Sequence, residues 1–214
     1  LMFETTMWSR IGEAEQGGAA AEAFVGRYRK PLLIYLSRRG LSESDAQDLV
    51  QDVFLRLFEK NLLSKADRTR GRFRSYLLGI TKNVLYKEQR KRSALKRGGG
   101  KGQVSLEQLG DVAAPEPDPE FDACWTQNLI QRALDGLKAD NARQYGVLQL
   151  HLRGDLSQKQ MAETLDRTPA QVKTDLYRAR QRLTKLIKAE IAHFASTQSE
   201  YDDEVASLLA LIGG

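Results

Sequence analysis

The chain has 214 residues, with 33 Lys+Arg against 28 Asp+Glu, a net charge of +5 and an isoelectric point near 9.3. That length builds one large or two small domains, and the basic balance favours an anionic partner. The single cysteine, Cys124, excludes a disulfide framework and a Cys-rich metal site. No apolar run is long enough for a membrane span, and the first residues lack the basic start and apolar core of a secretion signal, so a cytoplasmic setting is expected.

Helical periodicity dominates and strand signals are nearly absent, which predicts an all-α protein of two small helical domains joined by a flexible linker. Trp8 is expected to pack on the first domain. A first helix is predicted over about Ala21 to Arg39, with Phe24, Tyr28, Leu32, Tyr35 and Leu36 in register and Gly40 as its stop. Pro31 lies inside it, and an interior proline costs about 3 kcal/mol, so a bend or a restart is expected there. Ser42-Glu-Ser-Asp45 fits a capping box for the next helix, whose buried stripe is Ala46, Leu49, Val50, Val53 and Leu57. Its other face carries Asp48, Gln51, Asp52, Leu55 and Glu59. That face reads either as ordinary solvated surface or as an apolar anchor in an acidic rim that selects a basic protein.

The segment Arg70 to Arg92 is the next predicted helix, and it has two opposed faces. Phe73, Leu77, Ile80 and Val84 form a core stripe; Arg72, Gly79, Asn83, Tyr86, Lys87 and Arg90 lie opposite. Cations neutralise phosphates, aromatic rings stack on unpaired bases and amides read base edges, while Gly79 leaves room for a partner to approach the backbone. Seven Lys/Arg crowd Lys87 to Lys101. The polar, basic loop before this helix, from Lys60 to Arg70, is either a connector or a pocket for a flipped-out base.

Gly98 to Gly102 stops that helix and is no phosphate loop: it follows a helix and no Gly-Lys-Ser/Thr closes it. Pro115, Pro117 and Pro119 alternate with acids, which predicts an extended spacer. The expected organisation is a first domain over 1–97, a linker over 98–120, a second domain over 121–195 and an acidic amphipathic extension over 196–214. In the second domain a helix is predicted over Phe121 to Lys138, with Trp125, Leu129, Leu134 and Leu137 in its core, and another over Ala142 to Arg153. Ser157-Gln-Lys-Gln160 and Thr168-Pro-Ala-Gln171 are capping boxes that start two closely spaced helices, a helix-turn-helix. Val172, Leu176, Ala179, Leu183 and Ile187 face the core of the second; Ala170, Thr174, Tyr177, Arg178, Gln181 and Lys185 face outward, where they can meet DNA. The acidic extension is expected to lie over a basic surface of one domain. His151 and His193 are lone helix-borne residues, and neither a nucleophile–base pair nor a metal-spaced cluster is present, so no enzyme, cofactor, metal or small-molecule substrate is expected.

With these units in order, a family resemblance becomes specific. Asp45-Ala-Gln-Asp-Leu-Val-Gln-Asp-Val-Phe-Leu-Arg-Leu57 resembles the region 2 motif of extracytoplasmic-function (ECF) sigma factors of the sigma-70 family. Phe73-Arg-Ser-Tyr-Leu-Leu-Gly-Ile-Thr-Lys-Asn83 resembles their promoter-melting helix, and Thr168-Pro-Ala-Gln-Val-Lys-Thr-Asp-Leu-Tyr-Arg-Ala-Arg180 their region 4 recognition helix. Trp8-Ser9, the Lys96 to Gly100 junction and the Asp-Asp-Glu-Val tail are similar to a planctomycete-type subgroup with a C-terminal extension. The resemblance implies binding of Asp48, Gln51, Asp52 and Leu55 to the β′ clamp of core RNA polymerase, with the β flap as a second contact. It implies −10 contacts from Arg70, Arg72, Asn83, Tyr86, Lys87 and Arg90, and −35 contacts from Thr168, Gln171, Lys173, Thr174, Tyr177 and Arg178. It also implies promoter DNA as ligand and makes an anti-sigma factor or a Ser/Thr kinase a candidate partner, with no membrane involved. Two positions depart from the pattern. Asp175 stands where the family often has a basic residue, implying a lost phosphate contact, and Gln47 replaces a common Glu. The rivals are a stand-alone helix-turn-helix transcriptional regulator and a protein-interaction module that reads no DNA.

Overall fold

In the computed structural model, residues 18–59, 62, 73–96, 118–193, 195 and 198–212 are described. They form eight helices and no strand: α1 Ala19–Arg38, α2 Glu43–Glu59, α3 Phe73–Lys96, α4 Pro119–Asp140, α5 Ala142–Arg153, α6 Gln158–Thr164, α7 Pro169–Ala192 and α8 Gln198–Ile212. Trp8, the loop residues 63–72 with Arg70 and Arg72, and residues 98–117 of the expected linker lie outside the described residues. The chain divides into two compact units at Trp125/Thr126.

In the first unit α1 buries Phe24, Tyr28, Leu32, Tyr35 and Leu36, its predicted stripe. Pro31 neither ends nor restarts α1, which runs through it as one helix. The proline ring is itself buried, and burial of about 1.5–3 kcal/mol for each large apolar neighbour offsets the lost hydrogen bond. Gly40 takes φ +84, and the Gly40 and Leu41 amides bond back to the Ser37 and Leu36 carbonyls at 3.0 and 3.3 Å, closing the helix end. Ser42 Oγ then accepts the Asp45 amide at 3.2 Å and starts α2, but Asp45 does not close the box on the Ser42 backbone. Its carboxylate instead accepts the Ser42 hydroxyl at 2.9 Å and the Arg92 guanidinium of α3 at 3.2 Å. Ala46, Leu49, Val50, Val53 and Leu57 are buried as predicted, and so is Phe54. Phe73 at the start of α3 packs edge-on to Phe24 and Tyr28, each with ring centroids 5.5 Å away.

The first turns of α4 complete this unit, contrary to the expectation that they open the second domain. Asp118 Oδ1 accepts the Phe121 amide at 3.2 Å and Pro119 occupies the first helical position, so residues that read as spacer start a helix. Phe121 packs edge-on against Tyr35 at 5.5 Å, and Trp125 lies 5.1 Å from the Tyr28 ring. Trp125, expected in the second core, is thus buried in the first unit. Two aromatics one turn apart on α4 match two tyrosines two turns apart on α1, a pairing with no signature in the local pattern.

The second unit encloses a core that includes Leu129, Leu137, Leu148, Met161, Leu176 and Ile187. Asn141 caps α5 through the Gln144 amide at 2.9 Å, and Gly154 ends it at φ +74. Ser157 and Thr168 each form both arms of a capping box with Gln160 and Gln171, as predicted. Between the two helices Asp166 takes φ 51, the only non-glycine with positive φ among the described residues, and the Arg167 amide returns to the Ala162 carbonyl at 2.9 Å. Arg132–Glu190 and Arg182–Asp140, at 2.9 and 3.1 Å, tie α4 to α7. The extension forms α8, which packs on this unit's own core through Tyr201, Val205 and Leu208. It leaves Tyr177 at 65% exposure, so the expected cover over a basic face does not extend to that part of α7.

Candidate protein and nucleic-acid interfaces

Burial of one stripe of α2 drives the opposite face outward. Asp48, Gln51 and Glu59 are exposed, and Leu55 is exposed by 48% although it is a large apolar residue. Asp52 is half-buried and paired with Arg56 at 2.7 Å, one turn on. An exposed pair of this kind contributes at most about 1 kcal/mol but neutralises one charge locally, so Asp48 carries much of the negative field beside Leu55. A cleft of about 550 Å³ opens between α1 and the start of α2, lined in part by Leu33, Ile34, Ala46 and Gln47.

On α3 the predicted core stripe is buried to 3% exposure or less, and Asn83, Tyr86 and Arg90 emerge on the far side. Tyr86 is 57% exposed, and the Arg90 guanidinium sits 5.1 Å from its ring centroid. That cation–π contact holds a ring and a charge side by side, a pairing suited to a base and its phosphate. Lys87 is half-buried. Gly79, expected on this open face, is buried. Leu77, Leu78, Ile80 and Thr81 around it are all at most 1% exposed, so the first half of α3 is enclosed over a wider arc than one stripe and no partner reaches its backbone there. The Thr81 hydroxyl donates to the Leu77 carbonyl at 2.9 Å and so tolerates burial. Tyr76 is half-buried; its hydroxyl donates to the Leu62 carbonyl at 2.9 Å, and burial pushes its pKa up.

Beside this face stands a cluster the sequence reasoning missed. Asp118, with its side chain 10% exposed, accepts the Tyr35 hydroxyl at 3.0 Å and lies 2.7 Å from Lys82 Nζ and 3.4 Å from Arg39 Nη2. Burial pushes the Asp118 carboxyl up, but the Lys82 bond, the Phe121 amide and the Tyr35 hydroxyl outweigh it and hold the group below the usual carboxylate range. Tyr35 moves the other way, raised by burial and then by the bond to Asp118. Arg74 donates to Asp122 at 2.9 Å. The Asp-Pro pair at 118–119, an N-cap followed by the first helical position, was the available signal. Asp45 is likewise held low, first by the Arg92 hydrogen bond and then by Ser42.

On α7, Thr168 and Gln171 use their side chains in the cap: the Gln171 amide bonds Thr168 Oγ1 at 3.2 Å and the Thr168 amide bonds Gln171 Oε1 at 3.0 Å. They orient the helix start. Lys173, Thr174, Tyr177 and Arg178 are exposed together along the next two turns, with the Thr174 hydroxyl turned back to the Ala170 carbonyl at 3.0 Å. Asp175 is 5% exposed and pairs with Arg143 at 3.4 Å. It therefore faces α5 and not the outward surface where the sequence reading set it among DNA contacts. Its charge is neutralised inside the unit.

No group of three metal-ligating side chains occurs among the described residues, and none of their helices is long and apolar enough to cross a membrane. Residues 24–95 match the family model described as Sigma-70 region 2. The matched segment runs from Phe24 in α1 through α2 to the last turn of α3, and that part of the chain is similar to Sigma-70 region 2. No curated protein matches the chain.

Proposed function

We propose that this chain is an alternative sigma factor of the extracytoplasmic-function type, which binds core RNA polymerase and directs promoter-specific initiation. The observation that carries the reading is the first unit's similarity to Sigma-70 region 2, followed in the same chain by a doubly capped helix pair with an exposed basic face. In this reading the α2 face of Asp48, Gln51, Asp52 and Leu55 docks on the β′ clamp, an apolar anchor inside a charged rim. Asn83, Tyr86, Lys87 and Arg90 of α3, with Arg70 and Arg72 before it, meet the −10 element and its melted strand. The first half of α7 enters the major groove at the −35 element, where Lys173 and Arg178 contact phosphates or base edges and Tyr177 supplies apolar contact. The chain has no bond-making chemistry of its own, works in the cytoplasm and leaves catalysis to the polymerase. The resemblance of Trp8-Ser9, the Lys96 to Gly100 junction and the acidic tail to a planctomycete-type subgroup supports assigning it there, with an anti-sigma factor or a Ser/Thr kinase as candidate regulators.

In vitro transcription with core polymerase on fragmented genomic DNA of the source organism tests this. New discrete transcripts that share paired upstream elements are expected only when the protein is added. If core polymerase neither binds the protein nor starts new transcripts, while the protein alone shifts duplex DNA, a stand-alone helix-turn-helix regulator replaces this reading.

A further inference from the structure

Three carboxylates at the start of α4 face three cations of the first unit. Asp118 holds Lys82 of α3 at 2.7 Å and Arg39 at the end of α1 at 3.4 Å; Glu120 lies 3.4 Å from the same guanidinium; Asp122 accepts from Arg74 of α3 at 2.9 Å. The cations come from two helices and the anions from one short stretch of chain. The N-terminal turn of α4 and its cap thus set three anions against cations of α1 and α3. Lys82 is the immediate neighbour of Asn83 and lies one turn before Tyr86, so the cluster adjoins the face that the promoter reading assigns to DNA. Phe121 and Trp125, 1% and 3% exposed, pack behind the carboxylates and keep them seated.

We propose that Lys82, Arg39 and Arg74 form a binding surface for the phosphate backbone of promoter DNA, and that Asp118, Glu120 and Asp122 occupy it in the free chain as a latch that loading must open. The inference rests on the promoter reading for α3. The chemistry is an exchange of like for like: carboxylates leave three cations and phosphates take them. Pairs such as Arg39–Glu120, each side chain 40% exposed, are weak and open readily. Asp118 is the best buried of the three carboxylates, and the seating of Phe121 and Trp125 adds to the threshold. DNA has the advantage of counterion release, which the carboxylates lack, so the exchange favours DNA at low salt.

Hydrogen exchange tests the latch on the full chain, free and bound to core polymerase with a bubble-containing duplex. Backbone amides of 121–125 are expected to be protected in the free chain and to lose protection in the complex, while α1 and α2 keep theirs. Asp118→Asn is expected to tighten binding of the bubble duplex about fivefold, and Glu120→Gln about twofold. Asp203→Asn on α8, which makes the same charge change in the second unit, should give less than either. Adding Lys82→Gln to Asp118→Asn should remove the gain. Should the 121–125 amides stay equally protected in the complex, or should both latch variants merely match Asp203→Asn, the latch is overturned and these contacts are only structural. If no complex forms with polymerase or DNA at all, it is the promoter reading that fails. Circular dichroism of each variant separates a lost fold from an opened latch, and Glu120→Gln, at an exposed pair, tests the latch even if Asp118→Asn unfolds.

Discussion

Phe121→Ala asks directly to which unit the start of α4 belongs. The ring is 1% exposed, lies edge-on to Tyr35 at 5.5 Å and follows the Asp118 cap by three residues. Truncating a buried phenylalanine costs about 3–5 kcal/mol, the transfer of the ring plus the cavity it leaves. A small unit is stable by only about 5–15 kcal/mol, so the loss removes a large part of its margin. With a urea slope near 1 kcal/mol per molar for a unit of this size, the midpoint falls by roughly 3–5 M. The assay is urea unfolding in a Trp8→Phe background, where Trp125 is the remaining tryptophan and reports the first unit, while far-UV circular dichroism reports both units. Phe121→Ala should move the fluorescence transition to lower urea and split the dichroism curve, leaving its later part in place. A two-unit protein need not unfold in one step, so the split is measurable. If the early transition stays and the later one moves, the start of α4 stabilises the second unit and the assignment is wrong.

The other predictions concern charge, turn and surface. Asp118 and Asp45 both have folded-state pKa values below their unfolded values, so their contribution is present above about pH 4 and is lost as pH falls through the lower folded values; acid titration of the first unit should therefore show a steeper fall for the native chain than for Asp118→Asn. Asp166→Gly relieves a left-handed residue at φ 51 and should raise the melting temperature of the second unit, a gain of about 1 kcal/mol by calorimetry. Thr168→Ala removes the cap of α7 and should cost about 1 kcal/mol. Arg178→Ala should leave stability unchanged, weaken DNA binding and lower the salt slope by about 1 if the contact is to phosphate. Leu55→Asp places a charge at the exposed apolar centre of the α2 face and should weaken polymerase binding at least tenfold in a pull-down titration, with α2 still folded.

What was legible in the chain is what repeats locally. Core positions of α2 and α7 recur every three to four residues, and the caps at Ser157 and Thr168 complete themselves within four residues, so both could be read without a partner in view. Faces opposite those stripes were legible too: Leu55, Tyr86 and Tyr177 are among the few large apolar side chains left exposed, each within a predicted face. Helical spacing alone says which residues share a side, and burial of one side forces the other out. Three other features depended on packing between distant segments. Gly79 is enclosed because α3 is buried over a wide arc; Asp175 is turned inward because Arg143 of α5 stands opposite it; Trp125 joins the first unit because Tyr28 of α1 offers it a ring. The Tyr35–Asp118 bond joins residues 83 positions apart, and no periodicity spans that distance. Sequence by itself thus determined most of the helices, the two closed capping boxes and most outward faces, because those depend on interactions within one or two turns. Only tertiary structure decided where the first unit ends and which charges it neutralises, because those depend on which surfaces meet when separate helices exclude water together.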